Sequence, residues 1–201
     1  MDKNELLEKG IRLMELFCEE NNLPVPEVRI LKLGDHGYRL GSCAFYRNGV
    51  ITIMPKKCAH PGNGIRSWSW PGYVIDRTPY GVIQHELGHH ADHSIKGLLK
   101  HWMELKESPI TGYHGTGDGW TPHENRAEDF AEMFRLFVTN PALLHDIRYR
   151  TYAFLDGEGF LPVVNCHNWK SILRDAPGGI IRAATNKIKK GAIKSEKGKW
   201  I

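Results

Sequence analysis

Two histidines stand four residues apart inside a segment that has a clear helical start. Thr78-Pro79 has the pattern of an N-cap followed by a first-turn proline, and it predicts a helix that extends to about residue 97. Residues four apart on a helix lie on one face, so His85 and His89 can bind the same metal ion. Glu86 is rotated by one residue, so its carboxylate can reach a water beside that ion without binding the ion itself.

This spacing, His85-Glu86-Leu87-Gly88-His89, is the HExxH pattern of zinc-dependent proteases. The chain also has 11 histidines among 201 residues, a high count that favours metal chemistry. The pattern is short enough to arise by chance, so its setting matters. A capped helix around the pattern, and a second helix that offers carboxylates, make a metal site the better interpretation.

The second helix begins at Thr121-Pro122-His123-Glu124, which has the pattern of a capping box with proline at the first helical position. It is predicted to reach Thr139 and to end at Asn140-Pro141. An acidic stripe is typical of a solvated face, but here it alternates with aromatic residues typical of a core. A carboxylate near buried surface needs a partner, and a metal ion is one. The acidic residues are Glu124, Glu128 and Glu132, and the aromatic residues are Phe130, Phe134 and Phe137.

The N-terminal part predicts a helix followed by a small sheet. Apolar positions recur at helical spacing over residues 4–20, and residues 26–33 predict a short strand. Asn48-Gly49 between two β-rich runs predicts a hairpin over residues 43–54. In the register that a two-residue turn sets, Tyr46 faces Ile51 and Ala44 faces Ile53.

These segments together predict an α+β fold in a single domain over residues 1–185, followed by a basic C-terminal tail over residues 186–201. The predicted order is an N-terminal helix, the small mixed sheet, the histidine helix, the carboxylate helix and a helical C-terminal part. That last part comprises a helix from Asn140 to about Tyr152 and two short ones near 168–175 and 179–190. Residues 55–72 and 107–120 read as long loops.

The composition of the chain limits which cellular compartment and which partners we expect. No apolar run approaches membrane-spanning length, and the N-terminus has no continuous apolar core, so we expect a cytoplasmic protein without a membrane partner. The four cysteines lack paired spacing, which favours free thiols. A structural zinc site built from Cys58, His60, Cys166 and His167 is the weaker alternative.

The net charge of +4 is unevenly distributed. Residues 182–201 carry seven Lys or Arg side chains against the single acidic Glu196, so the rest of the chain is net negative. Such a tail can contact nucleic acid weakly or bind an acidic partner. A solvated terminus is the more common interpretation.

The two helical motifs resemble those of the gluzincin zinc metallopeptidases. His85-Glu86-Leu87-Gly88-His89, followed by the run from Asn125 to Leu136, is similar to the catalytic domain of anthrax lethal factor and to small zincin-like proteins of bacteria and phages. The likeness covers about 60 residues. It implies a zincin-like fold, Zn²⁺ as the cofactor and Glu128 as the third ligand. It also implies that Glu132 orients a ligating histidine.

The resemblance fails at one position. The lethal-factor group has a tyrosine just before the glutamate helix that helps to stabilise the transition state, and Thr121 aligns there in this chain. Tyr113, His114 or His123 could supply the missing donor, and we favour His123 or Tyr113. The pattern also lacks the third histidine of a metzincin. His90 is expected on another helix face, at the surface or behind a ligand.

The predicted function is that of a zinc metalloendopeptidase, a hydrolase that cleaves protein or peptide substrates. Glu86 is the predicted general base for the attacking water, and His85, His89 and Glu128 are the predicted metal ligands. One alternative is a nucleic-acid-associated protease that uses the basic tail. Another is a non-catalytic structural or interaction protein stabilised by zinc, for which Glu86 would be unnecessary.

Overall fold

A computed structural model describes residues 2–38, 41–61, 71–109 and 122–164 of the chain. The α+β prediction is confirmed, because these residues form six helices and a three-stranded mixed sheet. In chain order the elements are α1 (Lys3–Glu20), β1 (Glu27–Ile30), β2 (Ala44–Arg47), β3 (Val50–Ile53), α2 (Pro79–Ser94), α3 (Leu98–Met103), α4 (Pro122–Thr139), α5 (Pro141–Ile147) and α6 (Tyr149–Gly157).

The N-terminal helix has the predicted extent and a side-chain cap. The Asp2 carboxylate accepts hydrogen bonds from the backbone N–H groups of Asn4 and Glu5, at 2.8 and 2.9 Å, which satisfies two of the four free donors of the first turn. The helix ends at Asn21, whose side-chain amide donates to the Phe17 carbonyl at 2.8 Å. Its apolar stripe is buried, so α1 covers one side of the core.

The hairpin has the predicted register. Ala44 pairs with Ile53 and Tyr46 pairs with Ile51 in the antiparallel β2–β3 ladder. Asn48 and Gly49 both have positive φ, at 50° and 81°, as a tight turn of the I′ kind requires and as Asn-Gly tolerates. Strand β1 pairs with β3 in parallel, so the order is β1-β3-β2, and among the residues that the structure describes β2 is an edge strand.

Helix α2 lies at the centre of the molecule. It packs against α1, α4 and the β2–β3 hairpin. The phenylalanines of α4 are buried as predicted, and Phe134 makes edge-to-face contacts with Phe17 and Phe160, at 5.5 and 5.2 Å between ring centroids. Because both faces of α2 are covered, most of its residues are buried, including polar ones.

One helical prediction needs correction, and one helix was not predicted. The helix expected from Asn140 to Tyr152 is two helices, α5 and α6, since Arg148 adopts φ −149° and ψ 61° between them. The buried Arg148 guanidinium donates to the carbonyls of Ile147 and Ser108, contacts that a local sequence pattern does not indicate. The short α3 was not predicted.

The helices predicted at 168–175 and 179–190, the basic tail and most of both long loops lie outside the described residues. Within the described ranges, none of the helices is long and apolar enough to cross a membrane.

Candidate metal centre

Helices α2 and α4 bring three potential metal ligands together. His85, His89 and Glu128 each offer one ligand atom, and these three atoms lie within 4.8 Å of one another. His85 Nε2 is 2.9 Å from Glu128 Oε2, and His89 Nε2 is 3.5 Å from Glu128 Oε1. The three side chains that the sequence singled out are therefore neighbours in space.

The donor set fits a zinc ion in number and in chemistry. Zinc in catalytic sites takes three protein ligands from His and Asp or Glu, at about 2.0–2.2 Å, and keeps a fourth position open. Tetrahedral ligands at that distance lie about 3.4 Å apart. Two of the observed nitrogen–oxygen separations, 2.9 Å from His85 to Glu128 Oε2 and 3.5 Å from His89 to Glu128 Oε1, are near this value.

Glu132 holds the outer nitrogen of His85. Its Oε1 atom lies 2.8 Å from His85 Nδ1. The same carboxylate accepts two hydrogen bonds from the Arg135 guanidinium, both at 3.1 Å. An imidazole whose Nδ1–H donates to a carboxylate presents Nε2 to the metal position, with fixed ring orientation and raised basicity. Glu132 therefore lies beside a histidine of the group, as the resemblance to the gluzincins implies.

Burial and mutual hydrogen bonds shift the pKa values of His85, Glu128 and Glu132. Burial opposes the charge of His85, but the hydrogen bonds to Glu128 and Glu132 outweigh it and raise its pKa to about 10. Burial raises the pKa of Glu132, but Arg135 and His85 outweigh this effect and lower that pKa to about 2. The pKa of Glu128 is lowered in spite of burial, by its hydrogen bonds to His85 and His89. Without a metal, His85 is thus doubly protonated, and its Nε2–H and Nδ1–H donate to Glu128 and Glu132 respectively.

Glu86 lies beside this group without belonging to it. Only 7% of its surface is exposed. Burial raises the pKa of its carboxyl, whereas His85, His89 and the backbone N–H of Tyr46 on β2 favour the charged form. A buried carboxylate with a raised pKa, adjacent to a metal position, is suited to accept and return a proton.

A short connection ties the start of α2 to the end of α4. The Asp76 carboxylate accepts hydrogen bonds from Gly72 N, Thr78 N and Thr78 Oγ1, at 3.0, 3.0 and 2.6 Å. From α4, the Arg135 guanidinium donates to the carbonyls of Tyr73 and Val74. This segment therefore joins the two helices at one end.

The remaining predicted residues have mixed outcomes. Tyr113, His114 and Thr121 lie outside the described residues, and so do the side chains of His123 and Glu124, so the donor expected from this region stays a prediction. Cys166 and His167 of the alternative zinc site also lie outside them.

The expectation of a surface position for His90 is wrong. His90 is buried, its Nε2–H donates to the Pro24 carbonyl at 2.6 Å, and its Nδ1 lies 3.2 Å from Tyr46 Oη. Sequence reasoning also missed Arg135 and Tyr46. A buried Arg three residues after Glu132 was a readable signal, since the spacing i, i+3 allows an ion pair. No sequence signal indicated Tyr46, because its contacts depend on the packing of β2 against α2.

Comparisons with known proteins gave no match to a protein-family model, to a curated protein or to a solved structure. The functional argument therefore depends on the residues and the geometry of this chain.

Proposed function

We propose that the protein is a zinc-dependent metalloendopeptidase of the gluzincin type with a zincin-like fold. The observation that supports this proposal best is that the ligand atoms of His85, His89 and Glu128 lie close together, with the buried Glu86 beside them. A site that held zinc for stability alone would not need Glu86. Burying a carboxylate is costly, so its place beside the ligands favours a chemical role.

The residues of the chain have distinct roles in the proposed reaction. A zinc ion held by His85, His89 and Glu128 would supply a Lewis acid that polarises the scissile carbonyl and lowers the pKa of water towards about 7. Glu86 accepts the proton of the attacking water and later delivers it to the leaving amine. Glu132 keeps His85 in the tautomer that presents Nε2.

The edge strand β2 offers a surface for an extended peptide. In the observed register Arg47 and Val50 flank the two-residue turn as a hydrogen-bonded pair, so the N–H and C=O groups of Tyr46 point away from β3. The Tyr46 N–H donates to the Glu86 carboxylate, so a peptide paired with this edge would take over that donor beside the general base. Main-chain pairing of this kind accepts many sequences, which suits a protein or peptide substrate.

The cytoplasm remains the proposed compartment. The cysteines of the chain lack the paired spacing of a disulfide framework, which suits a reducing environment. A weak contact of the basic tail with nucleic acid stays a prediction from charge alone.

The first test is metal content by elemental mass spectrometry. We expect one zinc per chain in the wild type and loss of zinc in His89→Ala and Glu128→Ala. His93→Ala is the matched control, since His93 is exposed on α2 one turn beyond His89, and it should keep its zinc. Zinc retained in Glu128→Ala would assign the third ligand elsewhere and remove the main support for a gluzincin.

The second test separates chemistry from metal binding. Glu86→Gln should keep zinc and fold but lose turnover of a quenched-fluorescent peptide library by about 10²–10⁴-fold. Glu20→Gln, an exposed change at the end of α1, is the control. Turnover equal to wild type in Glu86→Gln would end the general-base assignment. A zinc-loaded wild type that cleaves no peptide would favour the non-catalytic, zinc-stabilised protein.

A further inference from the structure

Two cysteines that are 15 positions apart in the chain meet at one end of the hairpin. Cys43 directly precedes β2, and its carbonyl accepts a hydrogen bond from Met54 N at 2.8 Å, which extends the β2–β3 ladder by one pair. The chain then turns back, so that Cys58 N donates to the Pro55 carbonyl at 3.2 Å. Cys43 Sγ lies 3.3 Å from the carbonyl of Lys57, the residue before Cys58, and Cys58 Sγ lies 3.8 Å from the carbonyl of Met54, the residue that pairs with Cys43. The two thiols are therefore neighbours.

The two thiols differ in exposure. Cys58 is 3% exposed, whereas Cys43 is partly exposed. As neutral groups they have backbone acceptors, Lys57 O at 3.3 Å from Cys43 Sγ and Met54 O at 3.8 Å from Cys58 Sγ. An oxidant in solution can therefore reach Cys43 more readily than Cys58.

Two basic residues lie near the pair, and two acidic residues, Glu86 and Asp76, oppose their effect. Lys3 Nζ donates to the carbonyls of Lys56 and Cys58, and the Arg77 carbonyl accepts from Ala59 N at 2.8 Å, which places both basic residues around the 56–59 turn. A hydrogen bond from Cys58 lowers the pKa of Cys43 to about 7 against the opposing effect of burial, with help from Arg77 and Lys3. The same hydrogen bond and burial raise the pKa of Cys58.

Cys18 provides a contrast within the same chain. It is fully buried in the core beneath α1, and burial raises its pKa to about 12. The thiolate is the reactive form of cysteine, so Cys18 should be inert under conditions in which Cys43 reacts.

We propose that Cys43 and Cys58 are a peroxide-sensitive dithiol, in which Cys43 is the attacking thiol and Cys58 the resolving thiol. The Cys43 thiolate attacks one oxygen of hydrogen peroxide, the O–O bond breaks, and the released hydroxide takes up a proton to leave as water. The product is a sulfenic acid on Cys43. Cys58 loses its proton and attacks that sulfur, the S–O bond breaks, and a second water leaves. Two thiols lose two electrons in total, and one peroxide becomes two waters.

The assignment depends on the differing exposure of a contacting pair, not on metal binding or peptidase activity. A low-pKa, accessible thiol next to a second thiol is the arrangement found in redox-responsive cysteine sites. Because Cys43 opens the strand that carries Tyr46, the disulfide would fasten the start of the proposed substrate-binding edge to the 55–58 turn.

The test is peptide mapping of the full-length protein after mild oxidation. Reduced wild type is treated with a small excess of hydrogen peroxide, free thiols are blocked with N-ethylmaleimide under denaturing conditions, and tryptic peptides are analysed without reduction. We expect peptide 40–47 linked to peptide 58–66, with the link removed by dithiothreitol and Cys18 recovered as the maleimide adduct. At pH 7 iodoacetamide should alkylate native Cys43 at least about 100-fold faster than Cys18.

Two variants assign the roles. In Cys58→Ser, Cys43 should stop at the sulfenic acid and be trapped by dimedone, whereas in Cys43→Ser, Cys58 should stay reduced. Recovery of Cys43 and Cys58 as free thiols from peroxide-treated wild type would overturn the proposal, as would a link from Cys43 to Cys166. Equal peroxide reactivity of Cys58 with and without Cys43 would overturn the assignment of the attacking thiol.

Discussion

Gly88 of α2 lies directly against Ala131 of α4. A Cβ atom on Gly88 would be 2.7 Å from the Ala131 Cα and 3.2 Å from its carbonyl oxygen, well inside normal contact distance. The two helices can approach this closely only because position 88 has no side chain. The same crossing sets the distance from His85 and His89 to Glu128, so Gly88 belongs to the architecture of the site.

Gly88→Ala should therefore destabilise the protein and weaken metal binding together. We expect a loss of about 1–3 kcal/mol in the free energy of unfolding from the forced separation of the helices, offset in part by the helix propensity of alanine, about 1 kcal/mol. Urea denaturation and zinc affinity are the measurements. Gly157→Ala, at the end of α6 with no neighbouring atom within 4 Å of the added Cβ, is the control. A Gly88→Ala protein as stable as wild type would show that the helices tolerate a wider crossing.

Glu132→Gln should reduce zinc affinity while leaving every ligand in place. The substitution removes an acceptor for His85 Nδ1 or for Arg135 and leaves the buried guanidinium without a full counter-charge. Loss of an outer partner of this kind costs about 10–100-fold in metal affinity, and an uncompensated buried charge costs about 3–5 kcal/mol in stability. Glu27→Gln, which breaks an exposed pair with Arg29, should change the stability little. Unchanged zinc affinity in a competition titration would rule out a tuning role for Glu132.

Zinc uptake should release a proton and strengthen as the pH rises. In the metal-free protein the pKa of His85 is raised from 6.5 to about 10, and its Nε2 must lose a proton to bind metal. Apparent affinity should then increase about tenfold for each pH unit across the neutral range. Competition with a chelator at pH 6.5 and 7.5, corrected for the chelator's own protonation, would measure it. Affinity independent of pH would contradict the charged state assigned to His85.

The stability of the metal-free protein should depend on pH through His85 and Glu132. Raising the pH removes the contribution of His85, and lowering the pH removes that of Glu132. The pairing of His85 contributes fully below pH 6.5, its unfolded pKa, and is lost as the pH rises towards 10. The pKa of Glu132 is lowered from 4.5 to about 2, so its contribution is present above pH 4.5 and is lost as the pH falls through 2. Thermal unfolding of chelator-treated protein should show its broadest maximum between pH 4.5 and 6.5. A melting temperature that rises from pH 6.5 to 9 would be inconsistent with this account.

Tyr46→Phe should loosen the edge strand without affecting metal content. Tyr46 Oη accepts a hydrogen bond from Gly49 N at 3.0 Å and lies 3.2 Å from His90 Nδ1. Their loss should lower the free energy of unfolding by about 0.5–1.5 kcal/mol, while the ring still packs against His90. Tyr149→Phe, at a residue that is 62% exposed, is the matched control and should be neutral. Loss of zinc from Tyr46→Phe would show that the strand also supports the ligands.

The sequence by itself determined those features that depend on near neighbours in the chain. Thr78 capping the N-terminus of α2, the Asn48-Gly49 turn with its register and the common helix face of His85 and His89 all arise from contacts within a few residues. Such contacts leave short patterns, and short patterns can be read without a fold. The likeness of the motifs to the gluzincins also singled out Glu128 among three acidic residues of one helix.

Only the tertiary structure decided which distant groups meet. The closeness of Gly88 to Ala131 brings Glu128 to the histidines, and the Arg135 guanidinium reaches carbonyls more than 60 positions away along the chain. The burial of His90 and the meeting of Cys43 with Cys58 are of the same kind. These relationships depend on how helices and strands pack through space, and packing is set by the shape of the whole core rather than by any local run of residues.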